Sequence, residues 1–240
     1  MKLDILVIMA HPDDAELSCS GTIISSIKMG LKVGMIDLTK GELGTRGNEK
    51  IRIKEANNSA KLMQVQFREN LNFKDSLFKI SNKNKLKIIQ KIRQYKPDIV
   101  ITNSINDRHP DHEKASKLVY ESCFVSGLRR YETKFNTLHQ KCWRPEIILF
   151  SIQDKYIEPD FIVDISKHFK QKMKAILCFK SQFYDLKSKE PESYISSKHF
   201  MNFIESRSIE FGHSIGVDYG EGFKSSKKIR IKNLFNILGR

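Results

Sequence analysis

Residues 3–21 read LDILVIMAHPDDAELSCSG: a strongly apolar run ends at a histidine and two adjacent aspartates, and an amphipathic segment follows. Leu3 to Met9 is rich in Ile and Val without polar alternation, the pattern of a strand buried on both faces of a parallel sheet. His11-Pro12 stops it. From Ala15 to Gly30 the apolar residues Leu17, Ile23, Ile24, Ile27 and Met29 recur at near-helical spacing, and Gly30 supplies a stop. A strand that runs through HPDD into a helix sets titratable groups at the carboxyl edge of a sheet, where open α/β folds bind their ligands.

The same alternation continues along the chain. LKVGMIDLT (31–39) reads as a second strand, KGELGTRG (40–47) as a glycine-containing loop, Glu49 to Met63 as a helix, and QVQFRENLNF (64–73) as holding a short strand. NKLKIIQKIRQYK (84–96) is an amphipathic helix and PDIVITN (97–103) the next strand, followed by a helix from about Glu113 to Gly127. PEIILFS (145–151) and FIVDIS (161–166) are further strands, with helices near Lys167 to Phe179 and Tyr194 to Glu210. The fold class is therefore α/β, a Rossmann-like, doubly wound and mostly parallel sheet with its active site at the carboxyl ends of the strands. One domain over 1–240 is expected, with a mobile loop at DLKSKEPES (185–193) and a basic C-terminal extension from about 224 to 240.

Two segments follow strands directly, AHPDD (10–14) and NDRHPDH (106–112), so they meet at one sheet edge despite their separation in sequence. Together they offer His11, Asp13, Asp14, His109, Asp111 and His112. A catalytic zinc site uses three nitrogen or oxygen ligands and leaves a position open. His11, Asp14 and His112 fit that set, although iron(II) or cobalt(II) would accept the same donors. Asp13 is then placed to act as general base. His109, kept protonated by donating a hydrogen bond to Asp111, would face developing negative charge or deliver a proton to a leaving amine. Each aspartate also has a structural alternative, since Asp14 and Asp111 both stand where helix N-caps are expected. Glu16 is either an orienting group behind the ligands or a solvated helix residue.

Composition sets the remaining bounds. The formal net charge of +14 fits a nucleic-acid-binding protein, the alternative from another class, but much of the excess is lysine on polar helix faces and no nucleic-acid-binding motif accompanies it. No apolar run approaches the roughly 20 residues needed to span a bilayer. The first strand leads into charged residues instead of a cleavage site, so the N-terminus does not read as a signal peptide and the expected location is cytoplasmic. Cys19, Cys123, Cys142 and Cys178 form no CxxC pair and are expected to be free thiols. The turn after the first strand also lacks the G-x-G-x-x-G of a dinucleotide-binding domain. The tail KSSKKIRIKNLFNILGR carries six basic and no acidic residues and is expected to be solvated, with a membrane surface or a neighbouring subunit as alternatives.

AHPDDAE (10–16) together with DRHPDH (107–112) resembles the paired signature of the LmbE-like, or PIG-L-type, zinc-dependent de-N-acetylases. The resemblance implies a Rossmann-like fold and removal of acetyl from N-acetylglucosamine units. It assigns His11, Asp14 and His112 to the metal, Asp13 to the base, and His109 with Asp111 to a charged dyad. GELGTRG (41–47), MKAILCFKSQF (173–183) and IEFGHSIGVDYGEGF (209–223) resemble the branch that deacetylates N-acetylglucosaminyl-malate in bacillithiol biosynthesis. From this follow substrate-facing roles for Arg52, Arg108 and Tyr194, the arginines suiting malate carboxylates. The expected partner is a small GlcNAc-type molecule, with a homo-oligomer possible in principle and no nucleic acid. Other substrates of the same chemistry are chitooligosaccharides, a mycothiol-type precursor, antibiotic intermediates and bacillithiol conjugates.

Overall fold

The N-terminal apolar run becomes β1 (Ile5–Met9), every residue of it buried. Residues 1–235 are described in this computed structural model. Along the chain follow α1 (Asp14–Lys28), β2 (Val33–Thr39), α2 (Glu49–Met63), β3 (Arg68–Phe73), α3 (Asn82–Tyr95), β4 (Ile99–Thr102) and α4 (Pro110–Ser126). Next come a small hairpin, β5 (Lys134–Phe135) and β6 (Leu138–His139), then β7 (Ile147–Ser151), β8 (Phe161–Asp164) and α5 (Phe169–Ile176). A 3₁₀ turn at Tyr194–Ser196, α6 (Lys198–Ser214) and β9 (Gly220–Ser225) complete the order.

Seven strands form one sheet in the order β3-β2-β1-β4-β7-β9-β8. β1 pairs in parallel with β2 and β4, β2 with β3, and β4 with β7, while β9 runs antiparallel to both β7 and β8. The direction of winding therefore reverses between β1 and β4, and the crevice this opens at their carboxyl ends lies between the two HPD segments. Asn103 stitches the crevice by accepting the Ala10 N–H at 2.8 Å. The strands are apolar on both sides because both faces are covered. Leu6, Ile8 and Ala10 pack with Ile88 and Ile92 of α3 and Leu118 and Val119 of α4. Ile5, Val7 and Met9 pack with Ile23 and Ile24 of α1. A third cluster joins Leu17, Ile176, Phe179, Phe183, Phe200 and Ile204 beside the site.

Three differences from the sequence reading have physical causes. α4 begins three residues earlier than expected, at Pro110, whose fixed φ suits the first helical position; His109 takes the N-cap place by accepting the Asp111 N–H. β9 was not anticipated, since GEGFKS has one large apolar residue; its place is set by tertiary contacts. A Cβ at Gly222 would collide with the Phe211 ring, and buried Glu221 accepts the N–H groups of Gly21 and Thr22 where α1 kinks at Cys19. The expected extension therefore starts later than 224, because Lys224 and Ser225 belong to β9. Its residues 236–240 lie outside the described residues.

Candidate active site

Asp13 and Asp14 leave β1 in opposite roles because the backbone turns sharply between strand and helix. Asp13 has φ of 107°, a left-handed conformation that costs a non-glycine residue on the order of 1–3 kcal/mol. Its side chain makes no cap hydrogen bond and instead meets Arg52, whose Nη2 lies 2.7 Å from Asp13 Oδ2. Asp14 turns back into the crevice. Its Oδ2 accepts from the His11 N–H at 2.9 Å and from Asn103 Nδ2 at 3.0 Å, and its Oδ1 from Gln153 Nε2 at 3.2 Å. The same carboxylate lies 3.4 Å from His11 Nδ1 and 3.1 Å from His112 Nε2.

Each of these imidazoles is held from behind by a carboxylate. His112 Nδ1 is 2.6 Å from Asp107 Oδ2. His11 Nε2 is 3.1 Å from Asp75 Oδ1 and 3.5 Å from Asp111 Oδ2. With the outer nitrogens donating to those carboxylates, the inner nitrogens of neutral rings present lone pairs to Asp14. Two lone pairs and a carboxylate facing one another call for a cation, either protons or a metal ion. The protonation equilibria express the same demand. Burial opposes charge on His11, yet Asp14, Asp111 and Asp75 hold its pKa well above the ordinary value. Burial opposes charge on His112 too, but Asp14 and Asp107 raise it to about 9. Burial would raise Asp14, yet His112 and His11 hold it well below the usual carboxylate range. The donor set fits a divalent ion taking imidazole and carboxylate.

Among the described residues, two groups have ligand atoms all within 4.8 Å of one another: His11, His109 and His112, and His11, Asp75 and Asp111. The second is less suited to a metal because the Lys114 ammonium already supplies Asp111 with a cation. Asp75 already accepts the Leu43 N–H, and Asp111 accepts the Ser76 N–H and the Lys114 ammonium at 2.7 Å.

The charged dyad expected of His109 and Asp111 is not formed. Asp111 turns its carboxylate to His11, Ser76 and Lys114, and offers His109 only its backbone N–H, 3.2 Å from Nδ1. Neutral His109 consequently carries its ring proton on Nε2. Burial and the neighbouring His11 and His112 charges lower its pKa to about 4, against the protonated state expected from sequence. Burial pushes Asp13 up to about 7, with Arg52 pulling the other way.

The cleft has a volume of about 260 Å³ and is lined by His11, Asp13, Asp14, His109 and His112 among others. Arg52 and Arg108 both reach it but differ from the expected pair of clamps. Arg52 is buried and committed: Nε and Nη2 donate to the Pro12 carbonyl, Nη1 to that of Gly41, and Nη2 also to Asp13. Gly41, at φ +65°, leaves the room this needs, as a Cβ there would strike the guanidinium. Arg108 is half exposed, 3.2 Å from Asp154 and stacked 4.3 Å over the exposed Tyr194 ring. Sequence reasoning passed over Asp75, Asn103, Asp107, Gln153 and Arg46. Asp107 had the clearest signal, five residues before His112 in a quoted motif.

A seven-stranded α/β sheet with a buried histidine and aspartate cluster at its strand ends defines the class of this chain. It belongs to the PIG-L family: the model described as GlcNAc-PI de-N-acetylase matches residues 6–123. Diacetylchitobiose deacetylase of Thermococcus kodakarensis is 26% identical over 230 residues, covering 92% of this chain and 82% of the relative. A probable N-acetyl-alpha-D-glucosaminyl L-malate deacetylase 2 of Bacillus anthracis is 25% identical over 131 residues, covering 49% of this chain and 58% of the relative. Among solved structures, a conserved protein of Thermus thermophilus superposes with TM-score 0.86 at 31% identity, covering 97% of this chain and 98% of that one. Among the described residues no helix is long and apolar enough to cross a membrane.

Proposed function

We propose that this chain is a metal-dependent N-deacetylase that hydrolyses the acetamide of a GlcNAc-type sugar, with N-acetylglucosaminyl-malate as its substrate. The observation that carries the chemistry is the Asp14 carboxylate set between His11 Nδ1 and His112 Nε2, each ring fixed by a carboxylate on its far nitrogen. His11, Asp14 and His112 would hold the ion, zinc or iron(II). When bound, it supplies Lewis-acid polarisation and lowers the pKa of water. Asp13 takes the proton from the attacking water, in a surrounding that moves its pKa toward neutrality. His109, with Nδ1 engaged by the Asp111 N–H, donates from Nε2 to the oxygen on which negative charge develops. The Asp13 proton then passes to the leaving amine, so that acetate and the free amine result. Arg52 holds Asp13 in place, while Arg108 and Tyr194 form a stacked wall for the rest of the substrate.

The choice of N-acetylglucosaminyl-malate is supported by the similarity to the Bacillus anthracis relative and by the arginines around the cleft. Diacetylchitobiose is the second reading, favoured by the longer match to the Thermococcus kodakarensis enzyme. Acetate release from N-acetylglucosaminyl-malate, diacetylchitobiose and GlcNAc, measured after metal reconstitution, tests both. We expect the malate conjugate to give the highest kcat/KM. A preference for diacetylchitobiose would replace the substrate and keep the chemistry, and no release from any of them would overturn the deacetylase reading.

A further inference from the structure

Arg46 stands in the cleft wall without a counter-ion. It is buried, and it comes from the GELGTRG loop between β2 and α2. Its Nη1 reaches the Phe183 carbonyl at 3.4 Å and its Nη2 the Ser188 hydroxyl, while its Nε has no hydrogen-bond partner. No carboxylate among the described residues pairs with it. Glu190 of the 185–193 segment turns its Oε2 to the Gly47 N–H at 2.6 Å. The other buried guanidiniums of the site region are satisfied: Arg52 by Asp13, and Arg68 by Asp37 and Glu16. A buried cation that lacks an anion is costly, and two carbonyl or hydroxyl contacts do not replace one.

We propose that Arg46 is the specificity-determining residue for an anionic group on the substrate's aglycone, a carboxylate or a phosphate, which supplies the missing counter-charge. This rests on the deacetylase reading above and moves the anion contact from Arg52, which is already paired with the Asp13 carboxylate, to a guanidinium with no carboxylate partner. Each Nη keeps a hydrogen beyond those given to Phe183 and Ser188, and these can bind the oxygens of an anion in the cleft. Ser188 and Phe183 keep the guanidinium in the cleft wall, and Gln182 Nε2 holds the loop by donating to the Arg46 carbonyl at 2.8 Å. The acetamide end meets Asp13, His109 and the metal ligands, and all of these line the same cleft as Arg46.

The test compares wild type, Arg46→Gln and Arg46→Lys on a carboxylate substrate, N-acetylglucosaminyl-malate, a phosphate substrate, GlcNAc 1-phosphate, and a neutral one, methyl N-acetylglucosaminide. We expect Arg46→Gln to lower the ratio of kcat/KM for the preferred anionic substrate over the neutral one roughly 10- to 150-fold, mostly through KM, with Arg46→Lys intermediate. Which anionic substrate wins identifies the group. Equal losses on anionic and neutral substrates would reduce Arg46 to a clasp between loops and overturn the proposal. Calorimetric titration of L-malate and of inorganic phosphate into the metal-loaded proteins decides the point independently of turnover. At least tenfold weaker binding to Arg46→Gln supports the anion site even if no substrate is deacetylated, whereas equal affinity, or no binding to wild type, refutes it.

Discussion

Asp107→Asn should cost metal affinity while leaving the fold in place, because the hydrogen bonds around Asp107 force the orientation of the new amide. Asp107 Oδ1 accepts three backbone N–H groups, those of Arg108 at 2.8 Å, Asp154 at 3.2 Å and Lys155 at 3.0 Å. Asp107 Oδ2 faces His112 Nδ1. An asparagine must keep its oxygen toward the three donors, since turning its NH₂ there would set donor against donor three times. Its NH₂ then donates to His112 Nδ1, and the ring proton moves to Nε2, the nitrogen that faces Asp14. The ligand lone pair is lost in the neutral ring. Removal of a carboxylate behind a ligating histidine typically costs 10- to 100-fold in metal affinity, about 1.4 to 2.7 kcal/mol, and the reversed tautomer places this variant at the upper end. Competition with a chromophoric chelator gives the metal Kd, and circular dichroism checks the fold. An unchanged Kd in a folded Asp107→Asn protein would refute the assignment of His112 Nε2 as a ligand.

Asp13→Asn should lower kcat on the order of 10² or more while metal content stays at the wild-type level; asparagine tolerates the left-handed backbone at this position, so near-normal turnover would remove Asp13 from the role of base. Arg52→Gln should lower kcat/KM on neutral and anionic substrates by similar factors, since its fork secures Asp13 and the Pro12 carbonyl; a selective loss on the anionic substrate would restore it as the aglycone clamp. Arg68→Met strips the shared cation from buried Asp37 and Glu16, at a cost of about 3–5 kcal/mol. For a domain of this length that is a fall in Tm of roughly 6–20 °C by scanning calorimetry.

What the sequence disclosed about the site came from position as much as from residue type. β1 is apolar throughout and β4 is apolar up to its last residue, Thr102, so their ends were easy to find, and a polar cluster directly after each had to meet at the crevice. The parallel order from β3 to β7 followed from the alternation of strands and helices. β9 escaped because Gly220, Gly222 and buried Glu221 earn their places from α6 and α1, which no local pattern records. The same limit applied to side-chain partners. Sequence put Asp111 two residues from His109 and so suggested a pair, but the first turn of α4 directs the carboxylate to His11 and Lys114. The family resemblance implied that Arg52 faces substrate, whereas the turn at Asp13 draws it inward. Nothing in the sequence marks Arg46, because an absent counter-ion shows only in three dimensions.

The most direct test of the metal assignment is anomalous diffraction from crystals of the zinc-reconstituted protein. We expect one strong peak at ligand distance, about 2.0–2.2 Å, from His11 Nδ1, an Asp14 oxygen and His112 Nε2. A peak instead beside His11 Nε2, Asp75 and Asp111, or none in the cleft at full zinc loading, would contradict it.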